Sequence, residues 1–342
     1  MRRLACVMMV LVVLGVLGCQ PKTVDNPDTG PIAIPGGGET TDAAPPAGEQ
    51  YSIAIVPKGT THSFWKTVRA GAEAACAEAG AEALWKGPTD ETDVARQIAI
   101  IENFITSEVD ALVMAACDAK ALIPKVKQAL EAGIPVITID SGISSDDALS
   151  FVATDNVEGA RLVGAKLGEL IGGEGKVGCI PFIKGAATSD MREEGFIKGI
   201  EEFSGIELVS TLYSQGDIEE AMKATENMLT ANPDLKGIFA ANEPGVIGAA
   251  RVIEQRDLAD QVVLVGFDAA EAEIEGLESG VIQALAVQNP YQMGYLGVQA
   301  AIDAIEGADV EKRIDTGVVI VTPENLQDDD VQTLLNPDLG EE

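Results

Sequence analysis

A chain of 342 residues that is 46% hydrophobic but only 4% aromatic can bury the cores of two ordinary domains and is too apolar to remain disordered. Its 55 acidic against 23 basic side chains give a formal net charge of −32, which repels nucleic acid and anionic lipid and excludes both as electrostatic partners. The excess reads as a solvated exterior and carries no mechanism of its own.

Residues 1–19, MRRLACVMMVLVVLGVLGC, join a basic start at Arg2 and Arg3 to an apolar run too short to span a bilayer comfortably. The closing VLGC, Val16 to Cys19, resembles the lipobox of bacterial lipoproteins, where the cysteine receives a diacylglycerol and becomes the first mature residue. The pattern predicts a lipoprotein signal over 1–19 with lipidation at Cys19. The plainer readings are a signal peptide cut elsewhere and a signal anchor. Residues 20–49 are rich in Pro, Gly, Thr and Asp without periodicity, the composition of a flexible tether.

From Tyr51 short apolar runs alternate with amphipathic stretches. The strands predicted in chain order are YSIAIV, AEALWK, ALVMAA, PVITID, SFVAT, KVGCIPF, ELVSTLY, GIFAAN, VVLVGFD and IQALAVQ. Between them lie helical patterns, among them SFWKTVRAGAEAACAEAG, DVARQIAIIENFITSE, AKALIPKVKQALEAG and IEEAMKATENMLTANP, several ending at Gly or Asn-Pro. Continuous apolar strands point to parallel sheets covered on both faces. So many units exceed one comfortable sheet, and a division near Thr154, where FVATDNVEGA begins a new helix, gives an α/β protein of two doubly wound parallel-sheet domains. Cys76, Cys117 and Cys179 are an odd set without C-x-x-C spacing, against both a disulfide framework and a cysteine zinc site.

Ligands of open α/β sheets bind beyond the carboxyl ends of the strands. After the first strand come Lys58, His62, Phe64 and Trp65. Asp140 and Ser141 follow PVITI, a loop with Asp190 and Arg192 follows CIPF, Asn242 follows GIFAA, Asp268 follows VVLVGF, and Gln288 follows IQALAV. Carboxylates, carboxamides, two cations and flat rings suit a neutral polyhydroxylated ligand, with paired hydrogen bonds to vicinal hydroxyls and ring faces against its C–H side. Singly, each has a bland reading. Asn242 can be a helix cap, Asp140 and Asp268 turn residues, His62 a loop residue, Phe64 and Trp65 core, and Arg192 part of a solvated turn. One histidine excludes a His-rich metal site, and no cofactor is expected.

Over residues 51–320 the sequence resembles the periplasmic ribose-binding protein family, the sugar receptors of ATP-driven importers. The segments carrying the resemblance are PVITID, ATDNVEGA, MLTANPD, GIFAANEPGVIGAARVI and VVLVGFDA, in the family's order. It implies ligand contacts at His62, Phe64, Trp65, Asp140, Arg192, Asn242, Asp268 and Gln288, and lobes of 50–154 plus 288–316 and of 155–287 plus 317–342, joined by a three-crossing hinge. It also implies a monomer at the outer face of a membrane that serves an ABC-type permease. Ser141 stands where ribose-specific members carry an arginine, an aromatic is replaced around Gly216, and Lys58 replaces a small polar residue. Lys58, Asp190 and the GPTD at Gly87–Asp90 are similar to the branch that binds rhamnose or a furanosyl autoinducer. Lys58 is then expected to supply the lost cation from the opposite side of the sugar.

Other classes fare worse. The G-x-G-x-x-G of Gly173–Gly178 precedes a strand and follows a helix, the reverse of a dinucleotide loop. No G-x-S-x-G elbow occurs. An enzyme using Asp140 and Asp268 as acid and base is a remote alternative. A receptor presenting sugar or autoinducer to a membrane signalling partner is a nearer one. A sugar-responsive repressor would need a basic helix-turn-helix at the N-terminus, where this chain has an acidic tether.

Overall fold

Runs that are apolar at every position, rather than at alternate ones, become the strands, and most are buried on both faces. The computed structural model describes residues 50–337; the expected signal, Cys19 and the tether lie outside them. The chain runs β1 (Ser52–Val56), α1 (Ser63–Ala79), β2 (Glu82–Trp85), α2 (Val94–Thr106), β3 (Ala111–Met114), α3 (Ile123–Glu131), β4 (Val136–Ile139) and β5 (Ser150–Ala153). It continues with α4 (Asn156–Leu170), β6 (Glu174–Ile180), α5 (Ala187–Glu201), β7 (Gly205–Thr211), α6 (Ile218–Ala231), β8 (Leu235–Ala240) and α7 (Glu243–Gln255). The last stretch is β9 (Val263–Phe267), α8 (Glu271–Ser279), β10 (Ala284–Gln288), α9 (Pro290–Ile305), β11 (Arg313–Asp315), β12 (Val318–Val321) and α10 (Asp329–Leu335). All ten strands expected from the sequence form; β11 and β12 are additional.

Two six-stranded sheets result, ordered β11-β5-β4-β3-β1-β2 and β12-β10-β9-β8-β6-β7. The first is parallel throughout, and the second is parallel except for the antiparallel pairing of β10 with β12. In each, the order reverses beside its first strand, between β1 and β3 and between β6 and β8, which places a switch-point crevice at the carboxyl edge. Helices cover both faces, as expected of a doubly wound fold.

The chain passes between the sheets three times: from β5 into α4, from β10 into α9, and from β11 through Thr316 and Gly317 into β12. The first and third passages are tied together. The Thr154 hydroxyl donates to the Gly317 carbonyl at 3.1 Å, and the Arg313 guanidinium donates to the carbonyls of Ala153 and Thr154 at 2.7 and 3.1 Å.

Glycine sets how closely the helices approach. A Cβ at Gly71 of α1 would lie 2.0 Å from the Tyr291 carbonyl oxygen, and one at Gly294 of α9 would lie 1.9 Å from that of Val68. Backbone therefore meets backbone along α1 and α9, which fixes where the first turn of α1 points. Cys76, Cys117 and Cys179 are buried free thiols that pack as small apolar groups.

Candidate functional site

The carboxyl edges of the two sheets face a small pocket, lined from the first sheet's side by Lys58, His62, Phe64, Trp65, Glu91 and Asp140. The second sheet's side contributes Phe182, Arg192, Asn242, Glu243, Pro244, Asp268 and Gln288. Nine of the ten residues singled out in the sequence converge here. Asp190 does not. It is exposed, and its carboxylate accepts the Gly185 N–H at 3.2 Å in the loop before α5, away from the pocket.

Two aspartates hold the floor in strained backbone. Asp140 ends β4 with φ 53° and Asp268 ends β9 with φ 81°, the left-handed region that non-glycine residues rarely enter. Such strain persists only where surroundings over-determine it, and it concentrates at functional sites.

On the first side, Lys58 Nζ lies 2.9 Å from Asp140 Oδ2 as an ion pair and donates to the Thr188 hydroxyl of α5 at 3.1 Å, a contact that crosses between the sheets. Burial disfavours the Lys58 charge, but Asp140 and Glu91 outweigh it and raise the ammonium above the ordinary lysine range. Lys58 and Asp140 sit on the same side because β1 and β4 end on the same edge of one sheet. Lys58 thus reaches the pocket from the same sheet as Asp140, and the cation lining it from the second sheet's side is Arg192.

Glu91 was not singled out in the sequence. It is buried in the loop before α2, accepting the Trp65 indole N–H at 2.9 Å with His62 Nδ1 3.6 Å away. Burial alone would raise its carboxyl; the Lys58 charge and the His62 and Trp65 contacts reverse that and pull it down to about 2. Burial likewise opposes a charged His62, and the Glu91 carboxylate overrides it, raising the imidazole.

On the second side, Arg192 is buried and held by two hydrogen bonds and an aromatic face. Its Nε donates to Asn156 Oδ1 and its Nη1 to the Ala241 carbonyl, both at 2.7 Å, while the guanidinium carbon stands 4.0 Å from the Phe267 ring centroid. Asn242 uses Oδ1 to cap α7 at the Gly245 N–H, 3.1 Å away, which leaves its amide NH₂ toward the pocket. Gln288 donates to Asp268 Oδ1 at 2.6 Å, and Asp268 Oδ2 accepts the Glu243 N–H at 2.9 Å. Burial raises the Asp268 carboxyl despite the opposing Arg192 charge.

Phe182 supplies an aromatic face from the second side, beyond the end of β6. Lys58 Nζ is 5.3 Å from its centroid and 5.6 Å from that of Trp65, so the ammonium lies near both rings. Gly216, where an aromatic was expected to be missing, presents bare backbone at φ 70°; a Cβ there would lie 4.0 Å from Glu91 Oε2. Gln288 Oε1, which lines the pocket, is buried without a protein partner, as a polar group meant for a hydroxylated guest would be; the Ser141 hydroxyl is also unpartnered but does not line the pocket.

A family profile described as a periplasmic binding protein domain matches residues 53–309. The chain belongs to the periplasmic binding protein family. Among its relatives, the D-ribose/D-allose-binding protein of Pseudomonas aeruginosa is 35% identical over 286 residues, covering 81% of this chain and 89% of that protein. The ribose import binding protein of Haemophilus influenzae is 27% identical over 276 residues, covering 81% and 93%. A solved ABC transporter solute binding protein from Agrobacterium vitis with bound D-fucose superposes with a TM-score of 0.81 at 38% identity, covering 83% of this chain and all of that one. A carbohydrate transporter solute binding protein from Agrobacterium radiobacter with D-arabinose gives 0.81 at 34%, covering 84% and 99%. In this periplasmic binding protein the pocket sits where the two switch points face each other. Among the described residues no helix is long and apolar enough to cross a membrane, and no three His, Cys, Asp or Glu side chains are placed to hold a metal.

Behind the floor, Glu273 of α8 is fully buried. One oxygen accepts the Ala270 N–H at 2.6 Å and the other has no partner. Burial, then the neighbouring Asp268 charge, holds its carboxyl well above the usual range. A folded pKa raised above the unfolded one gives stability that is full in acid and lost as pH rises. Glu273→Gln should therefore raise the melting temperature at pH 8–9 and change it little near pH 4; equal shifts at both pH values would refute this account.

Proposed function

We propose that this protein captures a neutral monosaccharide between its two lobes and delivers it to an ABC-type permease. The observation that carries the reading is charge balance. Lys58 already faces Asp140 and Glu91, and Arg192 lies in the field of Asp268, so neither cation is left to neutralise an anionic guest. What the pocket offers is hydrogen bonding from fixed, buried groups: Arg192, the Asn242 amide, Asp140, Asp268 and Gln288. Two aromatic residues, Trp65 and Phe182, stand near the C–H faces of a ring lying between them. Relatives with D-fucose or D-arabinose bound, and those named for ribose and allose, support a monosaccharide. Ser141 and Gly216 point to one other than ribose.

Lobes of 50–154 plus 288–316 and 155–287 plus 317–342 close about the three crossings, and the closed form is the one a permease distinguishes. The chain acts as a monomer by binding, not catalysis, and is held at the membrane by lipid on Cys19, a role supported by the VLGC motif.

Thermal shift against neutral pentoses, hexoses and 6-deoxyhexoses, with galacturonate and ribose 5-phosphate alongside, tests the reading. A neutral sugar at a thousand times its dissociation constant stabilises by about 4 kcal/mol, and the two anions should give no shift. A shift from either anion and none from any neutral sugar would overturn it.

A further inference from the structure

Among the described residues, five helices carry their own side-chain cap: Asp93 on α2, Asp155 on α4, Asp217 on α6, Asn242 on α7 and Asn289 on α9. The helix that opens the pocket, α1, does not. His62 precedes it without a side-chain capping bond, and its first turn holds no acidic residue. Its free N–H groups and the positive end of its dipole are met instead from the other sheet. Glu243, first residue of α7, accepts the Ser63 N–H at 3.2 Å with one oxygen. With the other it accepts the Phe64 N–H at 3.2 Å and the Ser63 hydroxyl at 2.8 Å. The cap of α1 thus lies 180 residues away, across the cleft.

Glu243 is also joined to the pocket floor, since its own N–H donates to Asp268 Oδ2 at 2.9 Å. A guest that orders Asp268 therefore orders the carboxylate that caps α1, and moving the lobes apart strips α1 of its cap. Hydrogen bonds to a charged group are the stronger kind, and they can form only while the two sides are together.

We propose that Glu243 is the positioning residue that latches the cleft shut, and so sets how slowly the bound sugar leaves. The proposal rests on the sugar-binding reading above. It assigns the exit rate to a contact between the two sides rather than to a contact with the sugar, and of the residues that make it only Ser63 does not line the pocket.

The test measures sugar dissociation by stopped flow, using the best neutral sugar from the thermal-shift panel, for the full chain and for Glu243→Ala, Ser63→Ala and the double variant. Glu243→Ala should speed dissociation about tenfold while association changes less than about twofold, since such effects fall mainly on the off-rate. Ser63→Ala should speed dissociation by a smaller factor. The double variant should match Glu243→Ala, because both act through one contact. Fully multiplicative effects, or a silent Ser63→Ala, would mean that Glu243 touches the sugar directly and would overturn the latch.

A second arm needs no sugar. Amide exchange at Phe64 should become at least about tenfold faster in Glu243→Ala, with the α7 interior unchanged. Unchanged Phe64 exchange would also overturn the latch. Loss of Phe64 protection in a protein that binds no neutral sugar would overturn the sugar reading and leave the latch standing.

Discussion

Lys58→Met should lower the melting temperature at pH 7 by about 6–20 °C and flatten the loss of stability toward acid. The size follows from leaving two buried carboxylates, Asp140 and Glu91, without their cation. Breaking a buried ion pair from one side costs about 3–5 kcal/mol, and a domain of this size loses about 2–4 °C for each. The flattening follows from Glu91. In the intact protein its carboxyl is pulled from 4.5 to about 2. A depressed folded pKa contributes stability that is present above the unfolded value and lost as pH falls through the folded one. That shift is worth about 3 kcal/mol. The intact protein should therefore weaken between about pH 4.5 and pH 2 as Glu91 takes up its proton.

Without the Lys58 charge, burial is opposed only by the His62 and Trp65 contacts, so the Glu91 carboxyl moves upward from about 2. A less depressed folded pKa shrinks the linkage: less stability is lost as pH falls. Melting curves of both proteins from pH 3 to pH 8 give the result. The variant should lose less of its stability between about pH 4.5 and pH 3 than the intact protein does. A variant whose melting temperature at pH 7 stays within about 2 °C, or whose pH profile runs parallel to that of the intact protein, would show that Glu91 is not held ionised by Lys58. Met is chosen because it keeps the aliphatic stem that packs near Trp65 and Phe182, so lost packing contributes little.

How much of this site the sequence reveals depends on what fixes each residue. Asp140, Asn242, Asp268 and Gln288 are legible because strand ends in a parallel sheet all reach the same edge, and a continuous apolar run marks each end. Asp190 misleads for a geometric reason. It lies two residues before Arg192 on α5, and residues two apart on a helix project to different faces, so Arg192 points in while Asp190 points to solvent. Glu91 is invisible for the opposite reason. In GPTDETD it is one acid among several, in a chain with 55, and only the fold shows that Trp65 and His62 enclose it. Phe182 reads as the last apolar residue of a strand, and nothing local says that β6 ends at Ile180 and leaves its ring at the pocket. The strand β11 has three residues, too few to show a period, and β12 is half exposed on an antiparallel edge. The cap of α1 lies beyond sequence reasoning altogether, because its acceptor, the Glu243 carboxylate, is supplied by a different helix after both sheets have formed.

Arg192→Lys should cost at least a hundredfold in sugar affinity, about 2.7 kcal/mol, although it keeps the charge. The guanidinium is used in three directions at once: Nε to Asn156, Nη1 to the Ala241 carbonyl, and its flat face toward Phe267 at 4.0 Å. These contacts use two of its five N–H groups and one face, leaving three N–H groups on a side chain that lines the pocket. A lysine has one nitrogen and no plane. It can satisfy Asn156 or reach the guest, and whichever it abandons is left buried without a partner. Calorimetric titration with the best neutral sugar measures the loss, and a melting curve separates it from damage to the fold. Affinity should fall by two orders of magnitude or more while the folded, sugar-free protein melts within a few degrees of the intact one. An Arg192→Lys protein that binds within about threefold of the intact one would show that a point charge suffices there. The planar donor set would then have to be sought in Asn242 and Gln288 instead.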